Sequence, residues 1–135
     1  GFIYLNEVLD IMKTYKYCKN INITTNATLI TEDLLQKLVD TCDHIFLEID
    51  FDGLSQKSLE SVRAGANFNV VFKNILKVIN YRNKYPTKFE LLLHFTKNKI
   101  NEKDLDKIKA FADKEKIPLF VGEEFEVPKE SIFNY

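Results

Sequence analysis

The sequence predicts an α/β fold in which about four parallel strands alternate with helices, as in half of a TIM-type (β/α) barrel. Two observations favour this fold. Four short runs are rich in apolar and β-branched residues, and the first three are each followed by a longer stretch with apolar side chains at helical spacing. Helical connections of this kind join strands in parallel through right-handed crossovers. Because four strands are too few to close a barrel of the usual eight, we expect an open sheet, the half of a larger barrel.

The first half of the chain contains two predicted strands and two predicted helices. Apolar spacing predicts a first helix over residues 5–15. The first strand is predicted at 20–25, and Thr31 is a suitable N-cap for the next helix because acidic residues occupy its first turn. The second strand is predicted at 44–50. Its continuous apolar centre, Ile45-Phe46-Leu47, is typical of a parallel strand that is covered on both faces.

The second half of the chain contains three more predicted helices and two more strands. Ser55 caps the first of these helices, and Asn101 with Asp104 resembles a capping box (Asp for the usual Glu) at the start of the last. Glu48, within the second strand, is expected to form a structural salt bridge. The predicted helices span residues 55–63, 68–83 and 101–114, and the predicted strands span 89–95 and 119–121.

We expect one partial (β/α) domain over residues 1–122 and a C-terminal tail over 123–135. The tail has apolar anchors at Phe125, Val127 and Phe133 but no clear period. The chain begins at Gly1 without an initiator Met, and its first residues already have a helical pattern. This start is typical of a piece cut from a longer protein.

Composition excludes several classes of function. The 135 residues are 45% hydrophobic and 13% aromatic, which indicates a globular protein. A net charge of −1 gives no electrostatic reason to expect nucleic acid or an anionic membrane as a partner, and no apolar run approaches the roughly 20 residues of a membrane span. Cys18 and Cys42 could form a disulfide, but two reduced thiols are the favoured interpretation, which predicts a cytoplasmic protein.

Polar residues follow each predicted strand. In parallel α/β sheets, ligands bind beyond the carboxyl ends of the strands, so these residues should share one rim. Such a rim could hold sugar hydroxyls, an ammonium group or a divalent cation. The two histidines are not expected to form a catalytic pair, and His94 has no neighbouring acid in the sequence. The rim residues are Thr25, Asn26, Asp50, Asp52, Thr96, Asn98, Gly122, Glu123 and Glu124.

Some of these residues also have an ordinary structural interpretation. Asp52-Gly53 is a common turn sequence, and Asn98 suits a loop on any fold. Asp50 is harder to explain in this way, because a carboxylate that ends a buried apolar run costs free energy unless it finds a partner.

Four motifs resemble the second part of a radical S-adenosylmethionine core domain. Members of that superfamily often carry a strand ending in Thr-Asn-Gly, a strand ending in Ser-x-Asp-Gly, then Arg, Gly and Asn-Phe after a helix, and later a loop with Asn. The resemblance covers about residues 5–121, and the spacing from Asp50 to Phe68 agrees throughout. The matching residues are Thr25-Asn26-Ala27, Asp50-Phe51-Asp52-Gly53, Arg63, Gly65, Asn67-Phe68 and Thr96-Lys97-Asn98.

The resemblance implies a partial (β/α)6 barrel in the parent and a cofactor-binding role for Asn26, Asp50, Asp52, Arg63 and Asn98. Asp50, at the family's Ser position, would face the ribose or amino-acid part of S-adenosylmethionine. Arg63 would reach the carboxylate of that cofactor, and Asn98 would approach it from the next strand. The parent would generate a 5′-deoxyadenosyl radical and abstract hydrogen from a peptide or small molecule.

The sequence also departs from the family pattern. Ala27 replaces Gly, and Asp50 replaces Ser. The CxxxCxxC loop that binds the 4Fe-4S cluster is absent from these residues, as is the Gly-Gly-Glu segment that holds the methionine amine. Three thiolates are needed to hold the cluster that supplies the electron, so we expect this chain by itself to be inactive.

Two alternatives remain open. The first is a non-enzymatic half-barrel, in which the remainder of the barrel or a second copy covers the open sheet edges. The second is an Mg²⁺-dependent enzyme that uses Asp50, Asp52 and Glu123 as ligands.

Overall fold

The computed structural model describes residues 18–124 together with Glu7 and Asp10. The four strands of its sheet lie in sequence order, and every neighbouring pair is parallel. The sheet is open, which confirms the predicted α/β class and the half-barrel arrangement. Within the described residues, the strands are β1 (Asn20–Thr25), β2 (His44–Asp50), β3 (Phe89–Lys97) and β4 (Leu119–Glu123), and the helices are α1 (Glu32–Thr41), α2 (Gln56–Glu60), α3 (Phe68–Lys84) and α4 (Leu105–Glu115).

Side-chain capping explains where three of these helices begin. Thr31 accepts a hydrogen bond from the Leu34 N–H, as the sequence predicted. Ser55 caps α2, and Asn67 caps α3 in the same way. The predicted helix over 5–15 lies outside the described residues except for Glu7 and Asp10, which are helical.

Two predicted helix boundaries are wrong. The helix predicted over 55–63 ends at Glu60, and the following turns reach Gly65, whose φ of 79° lies in the left-handed region. The capping box at Asn101 and Asp104 does not form. A short 3₁₀ turn, Glu102–Asp104, precedes α4, and neither residue makes a side-chain capping bond, because both side chains bind distant loops instead.

Within the described residues, one face of β2 is buried and the other is not, which contradicts the prediction that β2 is covered on both faces. Ile45, Leu47 and Ile49 are buried in the core cluster, whereas the alternate residues of β2 are exposed or half-buried. The same alternation runs through β3. We call the uncovered side the open face, and its residues with large or charged side chains include Phe46, Glu48, Asp50, Glu90, Leu92, His94 and Phe120.

The last strand runs one residue into the predicted tail. β4 ends at Glu123, and residues 125–135 lie outside the described part of the chain, so the domain boundary at 122 stays a prediction. None of the helices in the described part is long and apolar enough to cross a bilayer.

Candidate functional site

Three of the predicted cofactor-binding residues meet at the carboxyl end of β2. Arg63 Nη2 donates a hydrogen bond to Asp50 Oδ2 at 2.6 Å, and Arg63 Nε lies 3.7 Å from Asp52 Oδ2. The Arg63 side chain is 42% exposed, so this cation neutralises two carboxylates while part of it still faces solvent. A charged cluster of this kind can bind the polar parts of a small molecule.

Asp52 is the most buried acid of the cluster. It is 0% exposed, and the Thr96 N–H donates to its Oδ1 at 2.8 Å. Among the described residues, no group makes a hydrogen bond to its Oδ2. Burial raises the pKa of the Asp52 carboxyl, and the neighbouring Asp50 adds to this effect, whereas the Thr96 N–H, Arg63 and His94 oppose it. The Arg63 guanidinium, 3.7 Å away, is therefore the charged partner of this oxygen, which is closed to solvent.

His94 joins the cluster although nothing near it in the sequence indicated a partner. In the parallel register of β2 and β3, His94 is paired with Asp50, and its Nδ1 lies 3.4 Å from Asp50 Oδ1. The imidazole also stacks on Phe120 of β4, with ring centroids 5.2 Å apart. The contact could have been predicted only from the register between β2 and β3, because the side chains of paired residues lie on the same face of a sheet.

The loop that carries Asp52 is tied to the loop after β3. Asn101 is completely buried, and its Nδ2 donates to Asp52 O and Thr96 O, both at 2.8 Å. Asp104 Oδ2 accepts a hydrogen bond from the Leu54 N–H at 3.0 Å. These bonds hold the two loops in one arrangement, so the carboxylates of the rim are pre-positioned. The local sequence pattern predicts a helix cap at both residues and gives no sign of this role.

A glycine allows α2 to pack against the same loop. A β-carbon at Gly53 would lie 2.4 Å from Ser58 Cβ and 2.7 Å from the Leu59 N atom, closer than real side chains come. Gly53 therefore permits the close approach between its own backbone and the backbone of α2, the helix that precedes Arg63.

Asn98 and Asn26 lie on the same rim but do not contact the charged cluster. Asn98 Nδ2 donates to Ser61 Oγ, and its Oδ1 accepts from the Ile100 and Asn101 N–H groups, so its side chain stabilises the loop after β3. Asn26 is exposed and its Oδ1 accepts from the Thr28 N–H. Their predicted role in cofactor binding stays a prediction.

The acidic residues of the rim do not gather around one point. Glu123 is 74% exposed, and its Oε1 lies 3.4 Å from Lys97 Nζ. No cluster of three or more metal-ligating side chains occurs in residues 18–124 or at Glu7 and Asp10. The Mg²⁺ site with Asp50, Asp52 and Glu123 stays a prediction.

Glu48, expected in a salt bridge, instead accepts a hydrogen bond from the Thr24 hydroxyl in the described part of the chain.

The two cysteines lie at the opposite end of the sheet. Cys18 precedes β1 and Cys42 precedes β2; both are buried and neither forms a disulfide, in agreement with the favoured interpretation. Burial, together with the neighbouring Cys18, raises the pKa of the Cys42 thiol to about 12. The thiol is therefore protonated at neutral pH and is a poor nucleophile and a poor metal ligand.

A cavity of about 790 Å³ opens on the same side as the cysteines. It lies at the amino ends of β1, β2 and β3, and its lining includes Asn20, His44 and Glu90. Lys88, also in the lining, donates to Cys42 O at 2.9 Å. The charged cluster around Asp50 lies at the other ends of the strands, where parallel sheets bind ligands.

The rim thus brings together two carboxylates, a guanidinium and an imidazole at the carboxyl ends of parallel strands. This set can accept hydrogen bonds from hydroxyl or ammonium groups, pair with a carboxylate, and exchange a proton. Comparison of the chain with family models, with curated proteins and with solved structures found no match.

Proposed function

We propose that this chain is the S-adenosylmethionine-binding half of a radical S-adenosylmethionine enzyme, active only together with a segment that carries the 4Fe-4S cluster. The observation that supports the proposal best is the pair of Asp50 and Arg63 at the carboxyl rim. Both residues belong to the Asp50–Phe68 segment that resembles the family. They contact each other next to Asp52, at the edge where α/β sheets bind ligands.

A second observation supports the resemblance at its weakest position. Ala27 stands where the family usually has Gly, and its φ is 66°, in the left-handed region that Gly adopts most easily. The backbone at position 27 therefore has a conformation that the Gly found at this position in the family adopts easily. The Asn74 side chain stabilises this backbone conformation, because its Nδ2 donates a hydrogen bond to Ala27 O at 2.7 Å.

The chemical groups of the cofactor match the groups of the rim. In this proposal, the carboxylate of Asp50 accepts hydrogen bonds from the ribose or the ammonium group, and the exposed part of Arg63 pairs with the carboxylate of the methionine moiety. Asp52, which is buried and lies 3.7 Å from Arg63 Nε, would hold the guanidinium in position for that contact. The amides of Asn26 and Asn98 would complete the contacts from the adjoining loops.

The cluster would have to be bound outside these 135 residues. A bound 4Fe-4S cluster supplies the electron for reductive cleavage of the sulfonium bond. Cys18 and Cys42 do not fit as its ligands, because both are buried and the pKa of Cys42 is about 12. We place the parent in the cytoplasm, where thiols stay reduced.

The gene that encodes this chain provides the first test. An upstream CxxxCxxC followed by Gly-Gly-Glu-Pro is the expected result, and an upstream region that codes for nothing of the kind would refute the proposal. The second test uses the whole parent protein with its cluster reconstituted. Asp50→Asn should retain the cluster absorbance but lower S-adenosylmethionine cleavage about tenfold or more. The control Lys97→Gln, on the same rim, should leave cleavage unchanged.

A second candidate function is a partner-binding half-barrel. Phe120 is 56% exposed on β4, and in residues 18–124 β1 and β4 each have a neighbouring strand on one side alone, which leaves unpaired backbone groups at the sheet edges. The remainder of the barrel or a second copy would cover these edges. Size-exclusion chromatography tests self-association: a concentration-dependent dimer that Phe120→Ser weakens supports a second copy, and a monomer at all concentrations counts against it.

A further inference from the structure

The two ring nitrogens of His94 have different surroundings. Nδ1 lies 3.4 Å from Asp50 Oδ1, while no described residue makes a hydrogen bond to Nε2. A deprotonated Nδ1 would turn its lone pair toward the Asp50 carboxylate, which only accepts hydrogen bonds, so this contact favours a proton on Nδ1. In the neutral imidazole, Nε2 then has a free lone pair.

Both partners of this contact are held in place. Arg63 binds the other oxygen of Asp50, so the carboxylate cannot rotate away from His94 without losing the 2.6 Å bond to the guanidinium. Phe120 stacks on the imidazole at an interplanar angle of 18°, which restricts the plane of the ring. A fixed neighbour therefore favours the Nδ1–H tautomer of His94.

Gly122 leaves the Nε2 edge of the ring uncovered. A β-carbon at this position would lie 3.5 Å from Nε2 and 3.7 Å from Cε1 of His94. Gly122 itself therefore places no side chain against the Nε2 edge of the ring. His94 itself is 24% exposed, so a small molecule can reach it.

We propose that His94 is a proton acceptor for a ligand that carries an O–H or N–H group on the open face, and that Asp50 fixes its tautomer. In the step, the proton moves from the ligand oxygen or nitrogen to Nε2, and the bonding electron pair stays on the ligand atom. The resulting imidazolium keeps its Nδ1–H contact with the Asp50 carboxylate, which stabilises the positive charge. This inference goes beyond the proposed function, because it requires neither the cluster nor S-adenosylmethionine.

The tautomer can be measured directly by ¹⁵N NMR of the imidazole. His94 is observed alone in a His44→Gln background, because the chain has two histidines. At alkaline pH we expect the Nδ1–H form in that protein, and a shift toward the Nε2–H form when Asp50→Asn is added. A neutral His94 that carries its proton on Nε2 before Asp50 is changed would overturn the proposal.

The exposure of Nε2 is tested by modification with diethyl pyrocarbonate, an electrophile that attacks neutral imidazole nitrogen. In the His44→Gln background, Gly122→Val should slow the modification of His94 about tenfold or more, because a branched side chain then covers Nε2. The control Lys97→Gln should react at the original rate. An equal rate in the Gly122→Val protein would contradict the assigned orientation of the ring, even if the NMR result agreed.

Discussion

Arg63 Nη2 donates a 2.6 Å hydrogen bond to Asp50 Oδ2 across a separation of 13 residues. The bond joins the end of β2 to the turn that follows α2, and it places the same guanidinium 3.7 Å from Asp52. One partly exposed cation therefore balances two adjacent carboxylates. Asp50 also links this pair to the next strand, because its Oδ1 lies 3.4 Å from His94 Nδ1.

Removal of Arg63 should expose the repulsion between the two acids. We expect Arg63→Gln to lower the free energy of unfolding by about 1 kcal/mol at neutral pH, since solvent screens a pair in which the Arg is 42% exposed. Urea unfolding measures this change. The control Lys97→Gln breaks a more exposed pair and should cost less than about 0.5 kcal/mol. Equal losses for the two variants would contradict the central role of Arg63.

Asp52 should make stability fall as the pH rises. Burial raises the pKa of its carboxyl in the folded state, so the folded state holds the proton more tightly than the unfolded state. Its contribution to stability is therefore greatest below the unfolded pKa of about 3.9 and is lost as the pH rises through the folded pKa.

Comparison with Asp52→Asn isolates this effect. The free energy of unfolding of the wild type relative to the variant should decrease as the pH rises above about 4, where the unfolded carboxyl loses its proton. Urea unfolding at several pH values gives the difference. Asp113→Asn, at an exposed position, should show no such trend. A difference that stayed constant or grew with pH would be inconsistent with a raised pKa.

Gly53 should tolerate no side chain. The β-carbon of Gly53→Ala would lie 2.7 Å from the Leu59 N atom, a backbone atom that cannot rotate away. We expect a loss of about 2 kcal/mol or more in the free energy of unfolding. Gly122→Ala is the matched control, because its β-carbon meets His94 at an ordinary 3.5 Å; its effect should stay within about 0.5 kcal/mol. Similar midpoints in thermal unfolding for the two variants would exclude the proposed steric conflict.

Asn101 should be more important for stability than its loop position indicates. Asn101→Ala removes both donors to Asp52 O and Thr96 O and the acceptor for the Asn98 N–H. The buried partners are left unpaired, so we expect a loss of about 2–3 kcal/mol in the free energy of unfolding. The exposed Asn22→Ala should change it by less than about 0.5 kcal/mol. Chemical unfolding decides between these values, and a near-neutral Asn101→Ala would show that the two loops are held by other contacts.

The thiols should be inert in the folded protein. With a pKa of about 12 and a buried position, Cys42 is almost entirely in the thiol form at pH 8. Unfolding in urea should raise the rate of alkylation by iodoacetamide about a hundredfold or more, as followed by mass spectrometry. Cys42→Ala gives the rate for Cys18 alone. Rapid alkylation of Cys42 in the native protein would contradict its burial.

Local patterns were enough to predict most elements of the sheet. The strands at Asn20–Thr25 and His44–Asp50 and the cap at Thr31 were predicted from short-range apolar spacing and turn chemistry, which act within a few residues. The same reasoning failed at Asn101, where a local capping pattern competed with partners far away in the chain. It also failed for the open face of β2, because a continuous apolar run does not reveal which side the helices cover.

The amino-acid sequence by itself determined the parallel α/β class, the common rim of Asn26, Asp50 and Asn98, and the spacing of Asp50 and Arg63. Only the tertiary structure decided that His94 joins Asp50 and that Asn101 binds Asp52 O, contacts across 44 and 49 residues, respectively. The physical reason is that such contacts depend on strand register and on how two loops pack. Both are set by the whole core, and no local pattern of residues encodes them.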